Sequence, residues 1–246
     1  MRGIISILAL LAILYSGPAT CANSKPVPIT AQSWLVADES GRILQSENIE
    51  QQRSIASITK LMTAMVVLDA HQDLDEQIGR YTRGETIQLA LVHSDNHAAE
   101  VLCEYYPNGK EQCIRAMNQK AQSLKMTNTK YVEATGLSVF NVSTASDLIK
   151  LVIAAKDYAP VVEAAHSPQV KIKIKKKWFF FKNTNPIIGQ RHEFIVSKTG
   201  YIRASGGCIA MMLDTEVGRR IVIVLGSKNT KTRIPEAEFI LRSAAH

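Results

Sequence analysis

The order of hydrophobic and polar residues divides the chain into a mainly helical first part and a strand-rich second part. Near the start, apolar and polar residues alternate at 33–38 and 42–45 around a turn at 39–41, which predicts a β-hairpin. Apolar residues then recur at intervals of three and four, as they do on one face of a helix. The helices predicted in this way cover residues 58–66, residues 85–106 with a break near Ser94, residues 110–124, and residues 143–155 with Ser143 as the N-cap.

The second part of the chain changes to the two-residue period that is typical of β-strands. The predicted strands are residues 170–174, 178–182, 193–198, 208–213 and 220–225. A last helix is expected to begin at Pro235, because proline suits the first helical turn, and to run toward Ala244. The order of hairpin, helices, strands and helix indicates an α+β fold, in which one antiparallel sheet takes strands from both ends of the chain.

Composition and length are those of a globular protein. The 246 residues are 46% hydrophobic and 21% charged, a balance that excludes intrinsic disorder. The length suits one or two domains with a substantial core. The net charge of +7 indicates acidic partners, whose identity depends on the compartment in which the protein works.

The N-terminus has the order of a secretory signal peptide. Arg2 precedes an apolar run at residues 4–15, and small residues follow up to Ala22, as they do before the cleavage site of such peptides. The run is shorter than the roughly 20 residues that span a bilayer. We therefore expect a signal peptide at residues 1–22, cleaved after about Ala22, and an exported domain at residues 23–246.

Export changes the interpretation of the cysteines, because an exported protein meets an oxidising environment. Cys103 and Cys113 flank a turn at residues 106–109 between two predicted helices. The sequence leaves open whether they form a disulfide or stay free thiols. Their spacing alone does not fix the geometry that a disulfide needs. Cys208 falls in an apolar strand and is expected to be a buried, unreactive thiol.

A serine and a lysine at the start of the first helix carry the first candidate chemistry. In Ser57-Ile58-Thr59-Lys60 the two residues are three positions apart and therefore share one helix face. A serine hydroxyl becomes a good nucleophile when a base removes its proton, and a lysine in an apolar, electropositive site has a lowered pKa that suits this task. Backbone N–H groups at the helix start can stabilise an oxyanion. Alone, the motif also fits a solvated lysine beside a capping serine.

Two further motifs follow in the chain. Ser94-Asp95-Asn96 is ordinary helix-start chemistry when it stands alone. Lys198-Thr199-Gly200 comes at the end of a predicted strand, where the glycine lets another backbone approach closely and the lysine and threonine supply charge and a hydroxyl. Alone, it also fits a strand end followed by a turn. Together, and in this order, the three motifs form the set found in class A β-lactamases and penicillin-binding proteins.

With these motifs the chain resembles the penicillin-recognising serine enzymes over nearly all of residues 23–246. The resemblance implies a β-lactamase/transpeptidase-like α+β fold, with a cleft between an antiparallel sheet flanked by helices and a mostly helical subdomain. It also implies peptidoglycan as the substrate, β-lactams as covalent inhibitors, and neither metal nor cofactor. By resemblance the site residues would be the nucleophile Ser57, its base Lys60, the proton shuttle Ser94, the substrate-binding Asn96, Lys198, Thr199 and Gly200, and an oxyanion hole of the backbone N–H groups of Ser57 and Tyr201.

The residues around the motifs resemble the low-molecular-mass D,D-peptidases of this family. Residues 53–64, 133–138 and 141–145 are similar to D-alanyl-D-alanine endopeptidases of the penicillin-binding protein seven type, which cut the D-alanyl–diaminopimelate cross-link of peptidoglycan in the periplasm. We expect no second β domain or amphipathic anchor after residue 244, as in this branch. Ser57 and Ser94 are 37 residues apart, which is a shorter connection than expected. The sequence therefore does not predict the shape of the cleft rim near residues 73–84.

Three alternatives stand beside the endopeptidase: a D-alanyl-D-alanine carboxypeptidase, a β-lactamase and a non-catalytic penicillin-recognising sensor. A β-lactamase needs a base for rapid deacylation, and Glu133 lies 39 residues after Ser94. The sequence around Glu133 is similar to the loop of the peptidases, so we interpret it as a surface carboxylate in a turn. A sensor would not need to keep both Ser57 and Lys60.

A basic run and a pair of histidines indicate no further chemistry. Residues 171–177 contain five lysines and are followed by Trp178 and three phenylalanines, and their alternation with isoleucine is typical of a strand with one solvated face. Export takes nucleic acid out of reach, so we expect no nucleic-acid partner and at most a loose membrane or wall association. His93 and His97 have metal-ligand spacing, but no third ligand accompanies them.

Overall fold

The computed structural model describes residues 27–190 and 192–244. The predicted signal peptide lies outside the described residues. The helices are α1 (Thr59–Asp69), α2 (Arg83–Gln88), α3 (Asn96–Glu104), α4 (Gly109–Ser123), α5 (Ala145–Ala155), α6 (Ala159–His166) and α7 (Arg233–Ser243), with a 3₁₀ turn at Ala56–Ile58 and a π turn at Leu89–His93. The strands are β1 (Ser33–Asp38), β2 (Ile43–Glu47), β3 (Arg53–Ser54), β4 (Gln77–Ile78), β5 (Tyr81–Thr82), β6 (Val142–Ser143), β7 (Gln169–Ile174), β8 (Lys177–Lys182), β9 (Phe194–Ile202), β10 (Gly206–Thr215) and β11 (Gly218–Ser227).

Strands from both ends of the chain form the central antiparallel sheet, in the order β2-β1-β11-β10-β9. β1 pairs with β11 along its whole length, from Ser33 opposite Leu225 to Asp38 opposite Arg220. The predicted α+β fold is therefore confirmed. β9 stands at one edge of the sheet, so its outer side keeps backbone hydrogen-bonding groups that another extended chain can use.

Helices cover both faces of this sheet. Along β10, Ala210 and Met212 point into one hydrophobic core, whereas Ile209 and Met211 point into the other. α7 belongs to the second core, and α1 and α5 belong to the first. Because both faces are buried, β10 and β11 are nearly continuous apolar runs rather than alternating ones.

Helix α1 is buried on all sides. From Thr59 to Val67 no residue exposes more than 2% of its surface, because the helix packs against α3, α4 and α5 within the first core. An amphipathic period is accordingly weak in this helix. The burial includes Lys60, which places a charged side chain in the middle of the fold.

Several predicted boundaries differ from the structure, and three of them have a clear physical reason. The N-cap of α5 is Thr144, whose hydroxyl accepts a hydrogen bond from Asp147 N at 3.1 Å, because Ser143 pairs in the short β3–β6 ladder. α7 begins at Arg233 rather than Pro235, since proline is tolerated throughout a first turn whose N–H groups lack helical partners. β9 continues to Ile202, so Lys198-Thr199-Gly200 lies inside the strand rather than at its end.

Several small elements were not predicted. These are α6 and the two-residue pairs β3–β6 and β4–β5. The β4–β5 pair falls within residues 73–84, the segment at the cleft rim whose shape the sequence did not predict. The buried Ile78 anchors this pair to the core. The prediction of a purely helical stretch between the first hairpin and residue 170 was thus too simple, because short ladders need no long alternating pattern.

Cys103 on α3 and Cys113 on α4 form a disulfide, with their Cα atoms 5.3 Å apart. Cys208 is a buried free thiol. The disulfide closes the turn between the two helices. Within the described part of the chain, no helix is both long enough and apolar enough to cross a bilayer.

Candidate active site

Ser57 lies in the tight turn that leads into α1. Its neighbours Ala56 and Ile58 are buried, whereas Ser57 lines a cleft. Two glycines make room for this turn. A Cβ atom added to Gly136 would lie 2.0 Å from the carbonyl oxygen of Ala56, and one added to Gly200 would lie 2.9 Å from Ser57 N. The turn is therefore clamped between the loop of Gly136 and the strand of Gly200, and only glycine fits at either contact.

Lys60 is fully buried one helical turn beyond Ser57. Its Nζ lies 2.9 Å from Ser57 Oγ, 2.7 Å from Asn96 Oδ1 and 2.6 Å from the carbonyl oxygen of Thr135. Burial lowers the pKa of Lys60 to about 8, against the opposing attraction of Glu133 and Asp95. At neutral pH this amine is therefore neutral far more often than an exposed lysine, as a proton acceptor must be.

The second motif lies where the helical segment after α2 breaks. Ser94 has a left-handed backbone conformation, with φ of 61°, at the end of the π turn. Asp95 caps α3 by accepting a hydrogen bond from Ala98 N at 2.8 Å. This cap leaves Asn96 as the first residue of α3, with its side chain directed at Lys60. The predicted break near Ser94 is confirmed.

The third motif lies on the edge strand β9. Lys198 is buried, and its Nζ donates hydrogen bonds to Ser94 Oγ and to the carbonyl oxygen of Thr199, both at 2.9 Å. Burial is the main cause that lowers the pKa of Lys198, and the nearby charges of Lys60 and Arg233 lower it further. Each serine is thus hydrogen-bonded to a buried lysine, and the two pairs lie at one cleft where α1, the turn of Ser94 and β9 meet.

The structure brings all the predicted site residues together. The cleft has a volume of about 250 Å³, and Lys60 and Lys198 reach it through Ser57 and Ser94. Residues expected from the sequence that line it are Ser57, Ser94, Asn96, Thr199, Gly200 and Tyr201; residues that were not expected are Leu137, Thr184, Thr230 and Arg233. Thr184 accepts a hydrogen bond from the hydroxyl of Thr199 at 2.7 Å.

Arg233 brings a third cation to the cleft. Its Nη1 donates a hydrogen bond to the carbonyl oxygen of Gly200 at 2.8 Å, and only 8% of the residue is exposed. No carboxylate of the described residues forms a salt bridge with it. Burial lowers the pKa of the guanidinium, which stays charged at any working pH. The site therefore offers an uncompensated positive charge to an anionic group of a ligand.

Glu133 is more than the surface carboxylate that the sequence suggested. It is partly buried, and its two oxygens accept five hydrogen bonds, from Thr135 N and Oγ1, Gly136 N, Ser138 N and Asn141 Nδ2. These bonds fix the loop whose carbonyl oxygen at Thr135 contacts Lys60. The interpretation was wrong because the partners come together only when the loop folds back on its own glutamate.

The described residues contain no group of three His, Cys, Asp or Glu side chains that could hold a metal ion. His93 and His97 have separate surroundings. His93 Nδ1 lies 3.1 Å from the carbonyl oxygen of Lys182, and His97 lines a different cavity with Arg80 and Tyr81. A cleft serine hydrogen-bonded to a buried lysine, with cationic groups and backbone N–H groups nearby, is typical of a serine-type acyl-transfer hydrolase.

Comparison with known proteins agrees with this class. The family model for D-alanyl-D-alanine carboxypeptidase, peptidase S11, matches residues 19–78 and 74–229. A D-alanyl-D-alanine endopeptidase of Pseudomonas aeruginosa is 33% identical over 96% of this chain and 87% of its own length. Another from Escherichia coli K12 is 38% identical over 81% of this chain and 72% of its own. Several D-alanyl-D-alanine carboxypeptidases match at 23–28% identity.

A solved structure shows the same fold. Penicillin-binding protein D2 from Listeria monocytogenes, in its cefotaxime-bound form, superimposes with a TM-score of 0.80 at 25% identity, over 89% of this chain and 98% of that one. The chain belongs to the D-alanyl-D-alanine carboxypeptidase family and is a serine-type hydrolase. The resemblance that the sequence motifs carried, and the β-lactamase/transpeptidase-like fold that it implied, are therefore confirmed.

Proposed function

We propose that the protein is a serine D,D-peptidase that acts on peptidoglycan stem peptides through an acyl-enzyme. Its most specific activity would be that of a D-alanyl-D-alanine endopeptidase that cleaves D-alanyl–diaminopimelate cross-links. The observation that carries the proposal is the position of the buried Lys60 Nζ, 2.9 Å from Ser57 Oγ. The endopeptidases of P. aeruginosa and E. coli, at 33% and 38% identity, support the choice of bond.

In the first step Ser57 Oγ attacks the carbonyl carbon of the D-alanine whose bond is cleaved. Lys60 takes the hydroxyl proton, since its pKa of about 8 allows a neutral amine to form. The tetrahedral oxyanion is received by the backbone N–H groups of Ser57 and Tyr201, which line the same cleft. Ser94 passes the proton held by Lys60 on to the leaving amine, which returns Lys60 to its neutral form. A water molecule then hydrolyses the ester on Ser57, with Lys60 accepting a proton from the water and returning it to Ser57 Oγ.

Substrate recognition uses the cations and the strand edge. An extended stem peptide can add to the outer side of β9 as a further strand, because β9 has no other strand on that side in the described structure. Asn96 binds a substrate amide. Lys198, Thr199 and Arg233 provide positive charge and a hydroxyl for the carboxylate beside the scissile bond. A β-lactam carries a comparable carboxylate and acyl group, so we expect covalent inhibition at Ser57.

The alternatives differ in the fate of the acyl-enzyme or in the peptide that is cut. A β-lactamase needs a free base near the ester, whereas Glu133 is engaged by five hydrogen bonds within its own loop and does not line the cleft. Rapid repeated turnover of nitrocefin would overturn the peptidase proposal. A sensor would bind penicillin without releasing peptide products. A carboxypeptidase would share every residue named above.

Digestion of purified peptidoglycan sacculi separates these possibilities. Muropeptides are released after treatment with the protein and identified by mass spectrometry, with the Ser57→Ala variant as the control. An endopeptidase converts cross-linked dimers into tetrapeptide monomers. Removal of only the terminal alanine from pentapeptides would show a carboxypeptidase instead, and no change in either would contradict a D,D-peptidase.

The location is part of the same proposal. The sequence at residues 1–22 predicts export, and the proposed substrate lies outside the cytoplasm, so we propose that the protein works in the periplasm. No nucleic-acid partner is expected there. Fractionation of cells that express the full sequence, followed by labelling with a fluorescent penicillin, tests the location directly.

A further inference from the structure

The β7–β8 hairpin, residues 169–182, which we call the basic hairpin, concentrates positive charge. It carries six lysines, and the sequence has no acidic residue between Glu163 and Glu193. In the described part of the chain, none of these lysines forms a salt bridge. The protein therefore does not neutralise this charge with its own carboxylates, and the charge is available to a partner.

Large aromatic side chains are exposed on the same hairpin. Trp178, Phe179 and Phe180 expose 51%, 43% and 57% of their surface. In the ladder, Lys171 lies opposite Phe180 and Lys173 lies opposite Trp178, so these four side chains share the outer face. Lys171 Nζ lies 4.4 Å from the centre of the Trp178 ring. The outer face thus interleaves ammonium groups with aromatic rings.

The tip of the hairpin is apolar on its inner face as well. Near the root, Ile172 is buried at 1% exposure and Phe181 packs on the first core. Toward the tip, Ile174 still packs on the edge of the first core, and with Phe179 and the stems of the three lysines at 175–177 it lines an apolar concavity of about 490 Å³. The tip therefore exposes apolar surface on two sides and ends in ammonium groups.

We propose that the basic hairpin docks on a bilayer that contains anionic phospholipid. Ammonium groups are attracted to anionic headgroups, and tryptophan and phenylalanine partition into the interface between headgroups and acyl chains. Stable but reversible attachment to a membrane generally takes two such signals together. The basic hairpin carries both signals within one short element.

Other partners match only half of this surface. An anionic polymer such as a wall glycan would pair with the lysines but would leave three aromatic rings and the concavity in water. A second copy of the chain would bring six lysines against six, which opposes association. A bilayer interface satisfies both the charge and the apolar surface.

The root of the basic hairpin is joined to the turn that carries Ser94. His93 Nδ1 lies 3.1 Å from the carbonyl oxygen of Lys182, and Thr184 N donates a hydrogen bond to Val92 O at 3.1 Å. None of the residues that line the cleft belongs to the hairpin. Docking would therefore hold the Ser94 edge of the cleft at a fixed distance from the bilayer, and hairpin variants can be compared without changing the site.

The test uses protein recovered from cells that express the full sequence. Binding is measured by cosedimentation with vesicles of phosphatidylcholine alone or mixed with phosphatidylglycerol. We expect binding only to the anionic vesicles, and release at about 1 M NaCl, where the screening length falls to about 3 Å. Substitution of Lys173, Lys176 and Lys177 by glutamine should weaken the partition coefficient about 100-fold, because each lysine at an anionic surface contributes about fivefold.

Matched controls isolate the hairpin from overall charge. Lys110, Lys130 and Lys228 are also exposed, and their joint substitution by glutamine removes the same charge elsewhere, so binding should change by less than about threefold. Trp178→Ala with Phe180→Ala should also release the protein, whereas Tyr105→Ala with Leu74→Ala should not. Fluorescent penicillin labelling must be equal in all variants, which shows that each one is folded.

Trp178 can report its own insertion. The chain has two tryptophans, so in a Trp34→Phe background the emission comes from Trp178 alone and should shift to the blue on anionic vesicles. Equal vesicle binding by the hairpin and control lysine variants, or no shift of Trp178 emission, would overturn the proposal. If the hairpin lysine variant lost binding to purified sacculi but bound vesicles as the unsubstituted protein does, the hairpin would be assigned to the wall instead.

Discussion

The side-chain nitrogen of Lys60 lies 2.6 Å from the carbonyl oxygen of Thr135, and this contact helps to set the direction of its lone pair. A neutral amine has two hydrogens, and two acceptors are present: Thr135 O and, at 2.7 Å, Asn96 Oδ1. When both hydrogens are donated in this way, the lone pair is directed at the hydroxyl of Ser57, 2.9 Å away. The surroundings of Lys60 therefore favour proton transfer from one particular partner.

The pH dependence of acylation should report the pKa of Lys60. Burial lowers this pKa to about 8, and the amine must be neutral to accept the proton of Ser57. The second-order rate constant for labelling by a fluorescent penicillin should therefore rise about tenfold per pH unit below pH 8 and level off above it. Rate constants measured between about pH 6 and pH 9.5 test this, and a flat profile would contradict the role of Lys60.

Lys60→Arg should abolish most of the activity although it keeps the positive charge. A guanidinium stays protonated at any working pH and cannot accept a proton from Ser57, so the rate constant for acylation should fall by about a thousandfold. Lys110→Arg, at an exposed position, should leave the rate unchanged. Circular dichroism shows whether each variant is folded. A folded Lys60→Arg variant that retained a tenth of the rate would exclude lysine as the base.

Glu133→Gln should shift the pH profile to lower pH. The negative charge of Glu133 raises the pKa of Lys60, so its removal should lower the midpoint of the profile. The maximal rate should also fall, because the amide of glutamine cannot accept the five hydrogen bonds that hold the loop of Thr135. Glu104→Gln, an exposed change, is the control. A midpoint that rises or stays in place would show that Glu133 does not act on Lys60.

The disulfide between Cys103 and Cys113 should contribute stability without affecting chemistry. The two residues are ten positions apart, and closing a loop of that length stabilises the folded state by about 3 kcal/mol in the chain-entropy model. Reductant should lower the urea midpoint of the unsubstituted protein and of Cys208→Ala, but not that of a Cys103→Ala, Cys113→Ala double variant. Acylation rates should be equal throughout. A double variant as stable as the oxidised protein would contradict the assignment.

Much of the fold could be predicted from the sequence, because the patterns that define it are local. The predominantly apolar stretch after Ser57 and the apolar runs of β10 and β11 are signals that tertiary structure did not override. The site motifs were also found, since the residues of each motif are close together in the sequence. The errors fell where a residue had a competing local use, as when Ser143 paired in a ladder and left capping to Thr144.

The rest of the site could not be predicted because it is assembled from distant segments. Arg233 stands in an ordinary helix start, and only the packing of α7 on the sheet brings it to Gly200. Thr135 contacts Lys60 across 75 residues of chain. Gly200 looked like the end of a strand, yet β9 continues beyond it, and the glycine marks the close approach of Ser57 instead.

Gly136 offers the sharpest test of how the nucleophile is held. Gly136 and Gly109 both have positive φ, 84° and 80°, so alanine at either position should cost about 1–2 kcal/mol in backbone strain. They differ in space: a Cβ atom at Gly109 meets nothing within 4 Å, whereas one at Gly136 would lie 2.0 Å from Ala56 O. Gly136→Ala must therefore displace the turn that carries Ser57.

We accordingly expect Gly109→Ala to lower the urea midpoint while leaving acylation by fluorescent penicillin unchanged. Gly136→Ala should lower the midpoint further and reduce acylation by about a hundredfold, because a displacement of about 1 Å at the nucleophile is enough for that loss. Because both variants carry the same kind of backbone strain, the difference between their acylation rates reports the steric contact between residue 136 and Ala56 O. Equal acylation rates in the two folded variants would mean that the loop of Gly136 does not position Ser57.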